Sequence, residues 1–417
     1  MHVEPITCYR PRPDAAAAFS VPHRVSDDPA EARAWAEARE ASFAAIACPG
    51  AAGPDGGDEG AALERAHDLL AERVADGTLL RDGTPCYYLY RLRRSGRELT
   101  GIVAACSVDD CNNGVVRRVE ATSRDLEDAH VRHIAATGCQ SAPVLLAYRD
   151  NPVLEALVEA AKTADPLYDF TDEEATRHSV WRVARPAAVE SLRLMLEHVG
   201  RAYVVGAHHR AAAAARVCQA MRTEGGERSS GAEAYNYLLC ALFPASQVRL
   251  LPRHVVVADT AGLDEGELVA ALERAGLVVG PRREEPVAPA ERGRMGMYAF
   301  GAWRELSRGG VGAGEETDAS VAWDRAVADV LGAREDGRAR SASPLAGPAE
   351  LERAAGEGGV ALALFPPSTG EAMAVADAGR TLPAGSTWLE PAPRDGLFVR
   401  RVSHRASLID GARPRRA

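Results

Sequence analysis

Ala202-Tyr203-Val204-Val205-Gly206-Ala207-His208-His209-Arg210, running into the alanines at 211–215, is the stretch whose reading decides the fold. Tyr203 to Val205 is short, apolar and rich in β-branched side chains, so it reads as a strand. Gly206 breaks it, and 211–221 has the composition of a helix. Strand, tight turn and helix together aim backbone N–H groups and a positive dipole end at an anion. Two imidazoles and a guanidinium at such a turn suit a phosphate or a carboxylate. The alternative is that the paired histidines only decorate a helix start.

The remaining composition bounds the answer. Hydrophobic residues make up 46% and charged residues 26% of 417 positions, which is ordinary globular usage in a chain long enough for two or three domains. A formal charge of −10 leaves no positive surplus to displace counterions, which argues against a nucleic-acid or anionic-membrane binder. Lys162 is the only lysine, and with abundant Ala and Gly this matches a GC-rich bacterial genome, so arginine usage alone carries no chemical message. No run of about 18 apolar residues spans a membrane, and Met1 to Arg12 lacks a secretory core, so the expected location is the cytoplasm. The cysteines are scattered, without two-residue spacing. Cys106 and Cys111 have no second pair or nearby His to complete a zinc set, so reduced core thiols and no metal centre are expected.

Along the chain, residues 1–25 read as an extended arm and Pro29 to Ala47 as a helix. Gly50 to Gly60 reads as a loop, Ala61 to Asp76 as a second helix. Tyr87 to Leu92, a Ser95-Gly96 turn and Leu99 to Val108 make a hairpin. Val115 to Thr122 begins as a strand and leads into a helix from Arg124 to Ala136. Pro143 to Tyr148 and His178 to Val183 are strands, Pro152 to Thr163 and Ala187 to Val199 helices. Further on, Ala234 to Phe243 reads as a helix, Val248 to Ala258 as a strand and Asp264 to Gly276 as a helix. Met297 to Leu306 returns as a strand, helices follow at Ala319 to Leu331 and Pro348 to Ala355, and then the strand Val360 to Phe365. Glu224 to Gly231 and the Gly-rich run Gly309 to Gly314 are loops, and the tail Asp410 to Ala417 is basic. Strands and helices mix without strict alternation, which predicts an α+β (mixed α/β) fold. The expected division is 1–222, carrying the hairpin and the His-His-Arg turn, and 232–417, an α/β part that completes the fold.

Landmarks spread over the chain then define a resemblance. Tyr87-Tyr88-Leu89-Tyr90, Arg118-Val119-Glu120-Ala121-Thr122, His178 with Trp181, and Tyr203 through Arg210 are joined by Gly296-Met297-Tyr298, Ser386-Thr387-Trp388-Leu389-Glu390-Pro391 and Gly396-Leu397-Phe398. Nearly end to end, the sequence resembles the family called domain of unknown function 1015, grouped with ParB-like and sulfiredoxin-like folds. The resemblance implies a nucleotide-binding core with additional mixed-sheet lobes, since relatives bind CTP or ATP and some are free-serine kinases using ADP or ATP. It implies that His208, His209 and Arg210 contact phosphate, with Gly206 at the turn, and that Glu120 is the acid/base. It also implies Mg2+ with ATP or ADP, and a small hydroxy-amino acid as acceptor. The departures are Gly206-Ala207 where Asp-Gly is usual, Val119 for His, Ala129-His130 for Asp-Arg, Pro22-His23-Arg24 for Pro-Tyr-Asp, and Gly385 and Ala392 for lysines. They fit either a kinase retuned for another acceptor or a weakened, nucleotide- or ligand-binding regulatory protein.

In a phosphotransferase the protein aligns donor and acceptor and spreads charge over the moving phosphoryl group. The planar fork of Arg210 suits two phosphate oxygens, and His208 and His209 supply further donors, with His208 a second catalytic candidate. Glu120 as general base contributes roughly 10²–10⁴-fold; its bland reading is an exposed carboxylate paired with Arg117, Arg118 or Arg124. Ser386 and Thr387 either contact phosphate or cap a helix. His178 and Trp181 read as packing residues, and Arg10 as part of the arm. No helix-turn-helix signal stands out, so small-molecule substrate and nucleotide are the expected partners rather than DNA.

Overall fold

The computed structural model describes residues 1–22, 34–47, 59–226, 230–308, 317–334 and 337–402. Readings placed on Pro29 to 33, His23-Arg24, 50–58, 227–229, Gly309 to Gly314, Cys48 and the tail from 403 lie outside them. Helices and a mixed sheet give an α+β fold. The chain forms two compact units. The first comprises Met1–Arg117, Thr122–Val248 and the C-terminal stretch from Pro391; the second comprises Arg118–Ala121 and Arg249–Glu390.

The first unit is built on a large sheet. Its strands run in the order Tyr168–Thr171, Arg177–Val183, Tyr87–Arg94, Arg97–Ser107, Tyr237–Pro244, Val144–Tyr148, Ala202–Gly206, with Val3–Glu4 added to Arg97–Ser107. The expected hairpin is present: Arg94 pairs with Arg97, and Ser95 and Gly96 turn the chain with φ of 50° and 76°. Pairing is antiparallel except between Tyr237–Pro244 and Val144–Tyr148. Helices Pro152–Ala161 and Pro186–Glu197 bury Leu154, Val158, Leu192 and Leu196 on it.

Tyr237–Pro244 is the main correction to the expected elements, because a helix was expected there. Every residue from Leu238 to Phe243 is apolar and buried, so both faces of a central strand are covered, and such a run has no period to distinguish it from a buried helix. The arm, too, is structured, pairing Tyr9–Pro11 with Leu79–Arg81. Residues 34–47 are two short helical turns rather than one helix.

The second unit holds a six-stranded antiparallel sheet, ordered Leu277–Val279, Ala302–Arg308, Arg294–Ala299, Val360–Ala363, His254–Val257, Ala339–Ala342. The single strand expected over Met297 to Leu306 is a hairpin turned at Phe300 and Gly301, which have φ of 51° and 72°. Helix Glu265–Arg274 and the π-helical stretch Val321–Val330 join one core, and helix Pro348–Ala355 covers the other face. A separate ribbon pairs Leu250–Pro252 with Thr387–Leu389, which places the Ser386-Thr387 motif.

Candidate functional site

In the first unit the strand Ala202–Gly206 runs straight into helix His208–Gly225, three residues earlier than composition alone indicates. The strand register shifts against Leu145 between Val204 and Gly206. A Cβ on Gly206 would lie 2.8 Å from Leu145 Cδ1 and 3.3 Å from Leu145 Cβ, so a side chain here, an aspartate included, requires Leu145 to shift. Ala207 then takes a left-handed conformation, φ 59° and ψ 41°, as helix N-cap. That conformation costs an alanine about 1 kcal/mol, a cost that glycine would not carry. Its methyl group also leaves the helix start without a side-chain acceptor.

The three side chains after the turn are fixed differently. His208 is buried. His209 Nε2 accepts from the backbone N–H of Ser123 at 3.0 Å, which puts its own proton on Nδ1. Arg210 donates end-on to Asp395, Nη1 to Oδ1 at 3.2 Å and Nη2 to Oδ2 at 2.9 Å. Arg210 also lines a cavity of about 30 Å³ with His133 and Gln140, enough for a water.

Asp395 comes from the short strand Arg394–Asp395, paired with Val21–Pro22. Arg394 is buried: Nε donates to Ser20 Oγ at 3.0 Å, Nη1 to Asp172 Oδ2 at 3.4 Å, and Nη2 to the Ser20 carbonyl. Its backbone N–H donates to the Tyr90 hydroxyl at 3.2 Å. That hydroxyl meets His178 Nδ1 at 2.7 Å, while His178 Nε2 meets Asp172 Oδ2 at 2.9 Å. One assignment satisfies all of these: Tyr90 donates to Nδ1, and a neutral His178 donates from Nε2 to Asp172. Burial pushes the His178 pKa down, opposed by its bond to Asp172. Burial raises the Asp172 carboxyl, but the bonds from His178 and the Thr176 amide outweigh it and the net shift is downward. His178 is therefore more than packing, whereas Trp181 packs under Arg91 and donates to the Ala164 carbonyl. Arg394 also walls a cavity of about 350 Å³ with Ser20, Ser42, Arg39 and Glu173.

In the second unit Glu120 is buried, not exposed as its bland reading required. On either side of it the Leu382 N–H donates to the Val119 carbonyl at 2.7 Å and the Ala121 N–H donates to the Leu382 carbonyl at 2.8 Å. The Gly385 N–H donates to Glu120 Oε2 at 3.0 Å and the Thr387 hydroxyl donates to Oε1. Glu120 and Thr387 are thus brought together. Ser386 is fully buried, and its hydroxyl closes the turn on the Pro383 carbonyl at 2.6 Å, which is neither helix capping nor an exposed ligand contact. Gly385 has φ of +68°, and a Cβ there would lie 2.6 Å from Ser341 Oγ, so a lysine at this position would need local rearrangement.

Arg10 forms an ion pair with buried Asp82 at 3.1 Å, an anchor for the arm. Sequence reasoning missed Asp395, Arg394, Tyr90 and Asp172 as site residues. The available signals were that Tyr90 ends the Tyr87-Tyr88-Leu89-Tyr90 landmark and that Arg394-Asp395 immediately precedes Gly396-Leu397-Phe398. Among the described residues no group of three His, Cys, Asp or Glu side chains is arranged to hold a metal ion, and no helix is long and apolar enough to cross a membrane.

The family model described as "Protein of unknown function (DUF1015)" matches residues 3–324, and the chain belongs to that family. No curated protein matches. Among solved structures, SbnI with C-terminal truncation from Staphylococcus aureus is similar at 15% identity and a TM-score of 0.40, over 72% of this chain and 87% of that one. A conserved hypothetical protein from Pyrococcus furiosus is similar at 13% identity and a TM-score of 0.39, over 72% and 95%. A free serine kinase in complex with AMP is similar at 15% identity and a TM-score of 0.37, over 69% and 86%.

Proposed function

We propose that this DUF1015 protein is a nucleotide-dependent phosphotransferase that acts in the cytoplasm on a small hydroxylated metabolite, such as serine or a related hydroxy-amino acid. The observation that carries this reading is the turn itself. A side-chain-free Gly206, a left-handed Ala207 and a long helix with Arg210 in its first turn suit the phosphates of ATP or ADP. On this reading, of ParB/sulfiredoxin-like character, Arg210 and His208 contact phosphate and His209 keeps the turn in place. Transfer joins the acceptor oxygen to the terminal phosphorus and breaks the bridging P–O bond, releasing the shortened nucleotide. The acceptor's proton passes to Glu120, and Thr387 orients that carboxylate. The cavity of about 350 Å³ beside Arg394 has the size of a small-metabolite site.

Mg2+ would reach such a site with the nucleotide, mostly through phosphate oxygens and water. The turn adds little to hold it, because Gly206 has no carboxylate and Asp395 is engaged by Arg210. No step is therefore assigned to the metal.

A second reading, a nucleotide- or ligand-binding regulator without turnover, is favoured by one observation. Both Glu120 oxygens already accept hydrogen bonds, from Gly385 and Thr387. Phosphorus NMR with ATP or ADP, Mg2+ and a panel of hydroxy-amino acids separates the two. Turnover that is lost in Arg210→Ala and in Glu120→Gln supports the kinase. Nucleotide-dependent thermal stabilisation without turnover supports the regulator, and no nucleotide effect at all overturns both.

A further inference from the structure

We propose that Asp395 is the positioning residue for Arg210, and that the buried Tyr90–His178–Asp172–Arg394 network exists to hold Asp395 in place. The proposal rests on the reading of Arg210 as the phosphate contact. Every part of it lies in the first unit. A guanidinium on a helical arginine has many rotamers, and an anion site needs one of them. The end-on pair with Asp395, at 2.9 and 3.2 Å, selects a single orientation and uses two of five N–H groups.

The carboxylate is itself fixed from both sides along the chain. On one side Arg394 is anchored by its side chain to Ser20 and Asp172 and by its backbone N–H to Tyr90. On the other, Gly396 has φ of +86°, and a Cβ there would lie 2.6 Å from Phe43 Cβ. The segment cannot slide by a residue without placing a side chain in that space. The hydrogen-bond path therefore closes on itself: the residue whose backbone N–H meets Tyr90 also sends its guanidinium to Asp172, which His178 holds. A buried polar ring of this completeness fixes one geometry and tolerates few others.

The test measures affinity by calorimetry on the full chain for three probes: ADP, inorganic pyrophosphate and adenosine. The variants are Asp395→Asn, Arg210→Ala, their double variant and His178→Gln. Asp395→Asn is expected to weaken ADP and pyrophosphate about tenfold and leave adenosine unchanged. In the Arg210→Ala background the same change is expected to have no further effect. His178→Gln is expected to shift the phosphate-bearing probes in the same direction by a smaller factor. If Arg210→Ala binds ADP normally, the phosphate reading itself fails. If Arg210→Ala weakens ADP but Asp395→Asn binds it equally or more tightly, positioning is overturned and Asp395 is instead a competitor for the fork. Equal losses for all three probes, adenosine included, also overturn it, because that is general unfolding of the site.

Discussion

The two units hold their candidate residues by opposite means. Around the helix start of the first unit, charge meets charge, Arg210 on Asp395 and Arg394 on Asp172, while a neutral His178 donates to the same aspartate. In the second unit neutral groups serve as donors. Glu120 receives a backbone N–H and a hydroxyl, and His254 Nδ1 receives the Leu364 N–H at 3.1 Å. A charged partner resists a change of protonation and makes truncation costly, because the survivor is left buried and unpaired. Neutral donors fix geometry without adding a compensating charge. The first pattern suits a fixed binding fork, and the second holds a carboxylate by directional contacts.

The sharpest way to break this contrast is Glu120→Gln. The amide oxygen can accept from the Gly385 N–H while its NH2 donates to the Thr387 hydroxyl, so the melting temperature should hardly move, while turnover should fall by roughly 10²–10⁴-fold if Glu120 is the general base. Unchanged turnover would make Glu120 a structural latch only. Next in size is Gly396→Ala in the first unit. Left-handed strain and overlap with Phe43 together should cost about 3–4 kcal/mol, read by urea unfolding. A loss below about 1 kcal/mol would show that the Arg394–Asp395 segment has more play than its contacts indicate.

Acid provides the third comparison. Burial lowers the His254 pKa to about 4. Its folded pKa is below its unfolded value near 6.5, so its contribution is complete above pH 6.5 and is lost as the pH falls toward 4. Stability should drop by up to about 3 kcal/mol over that window. His178 is lowered in the same direction, but its bond to Asp172 works against burial, so its acid sensitivity should be smaller. His254→Gln should flatten the acid slope more than His178→Gln does; the reverse order would contradict the contrast. The smallest effect concerns the turn. Ala207→Gly should remove the left-handed strain and stabilise by about 0.5–1 kcal/mol after the extra chain entropy of glycine, measured by thermal melts. A destabilised variant would mean that the Ala207 methyl group makes a contact worth more than its strain.

Much of this was legible in the chain. The hairpin over Tyr87 to Val108, the helix after Ser123 and the strand–turn–helix at Gly206 all carry local signals: a Ser-Gly turn, helical period, a glycine at a break. What escaped were elements whose signal is not local. Tyr237–Pro244 reads as a helix because a fully covered strand shows no alternation. Glu120 reads as a surface carboxylate because three arginines neighbour it in sequence, yet its partners are Gly385 and Thr387, more than 260 positions away.

The sequence by itself determined the family, the α+β class and the strand–turn–helix at Gly206, since each depends on residues close together in the chain or on landmarks matched in order. Only the tertiary structure decided what those residues touch. It gave Arg210 a carboxylate, His209 a backbone donor and Glu120 its hydroxyl, and it showed that Leu145 packs closely against Gly206. The physical reason is that hydrogen-bond partners and steric room are set by elements packed across long chain separations, and no local pattern of side chains encodes them.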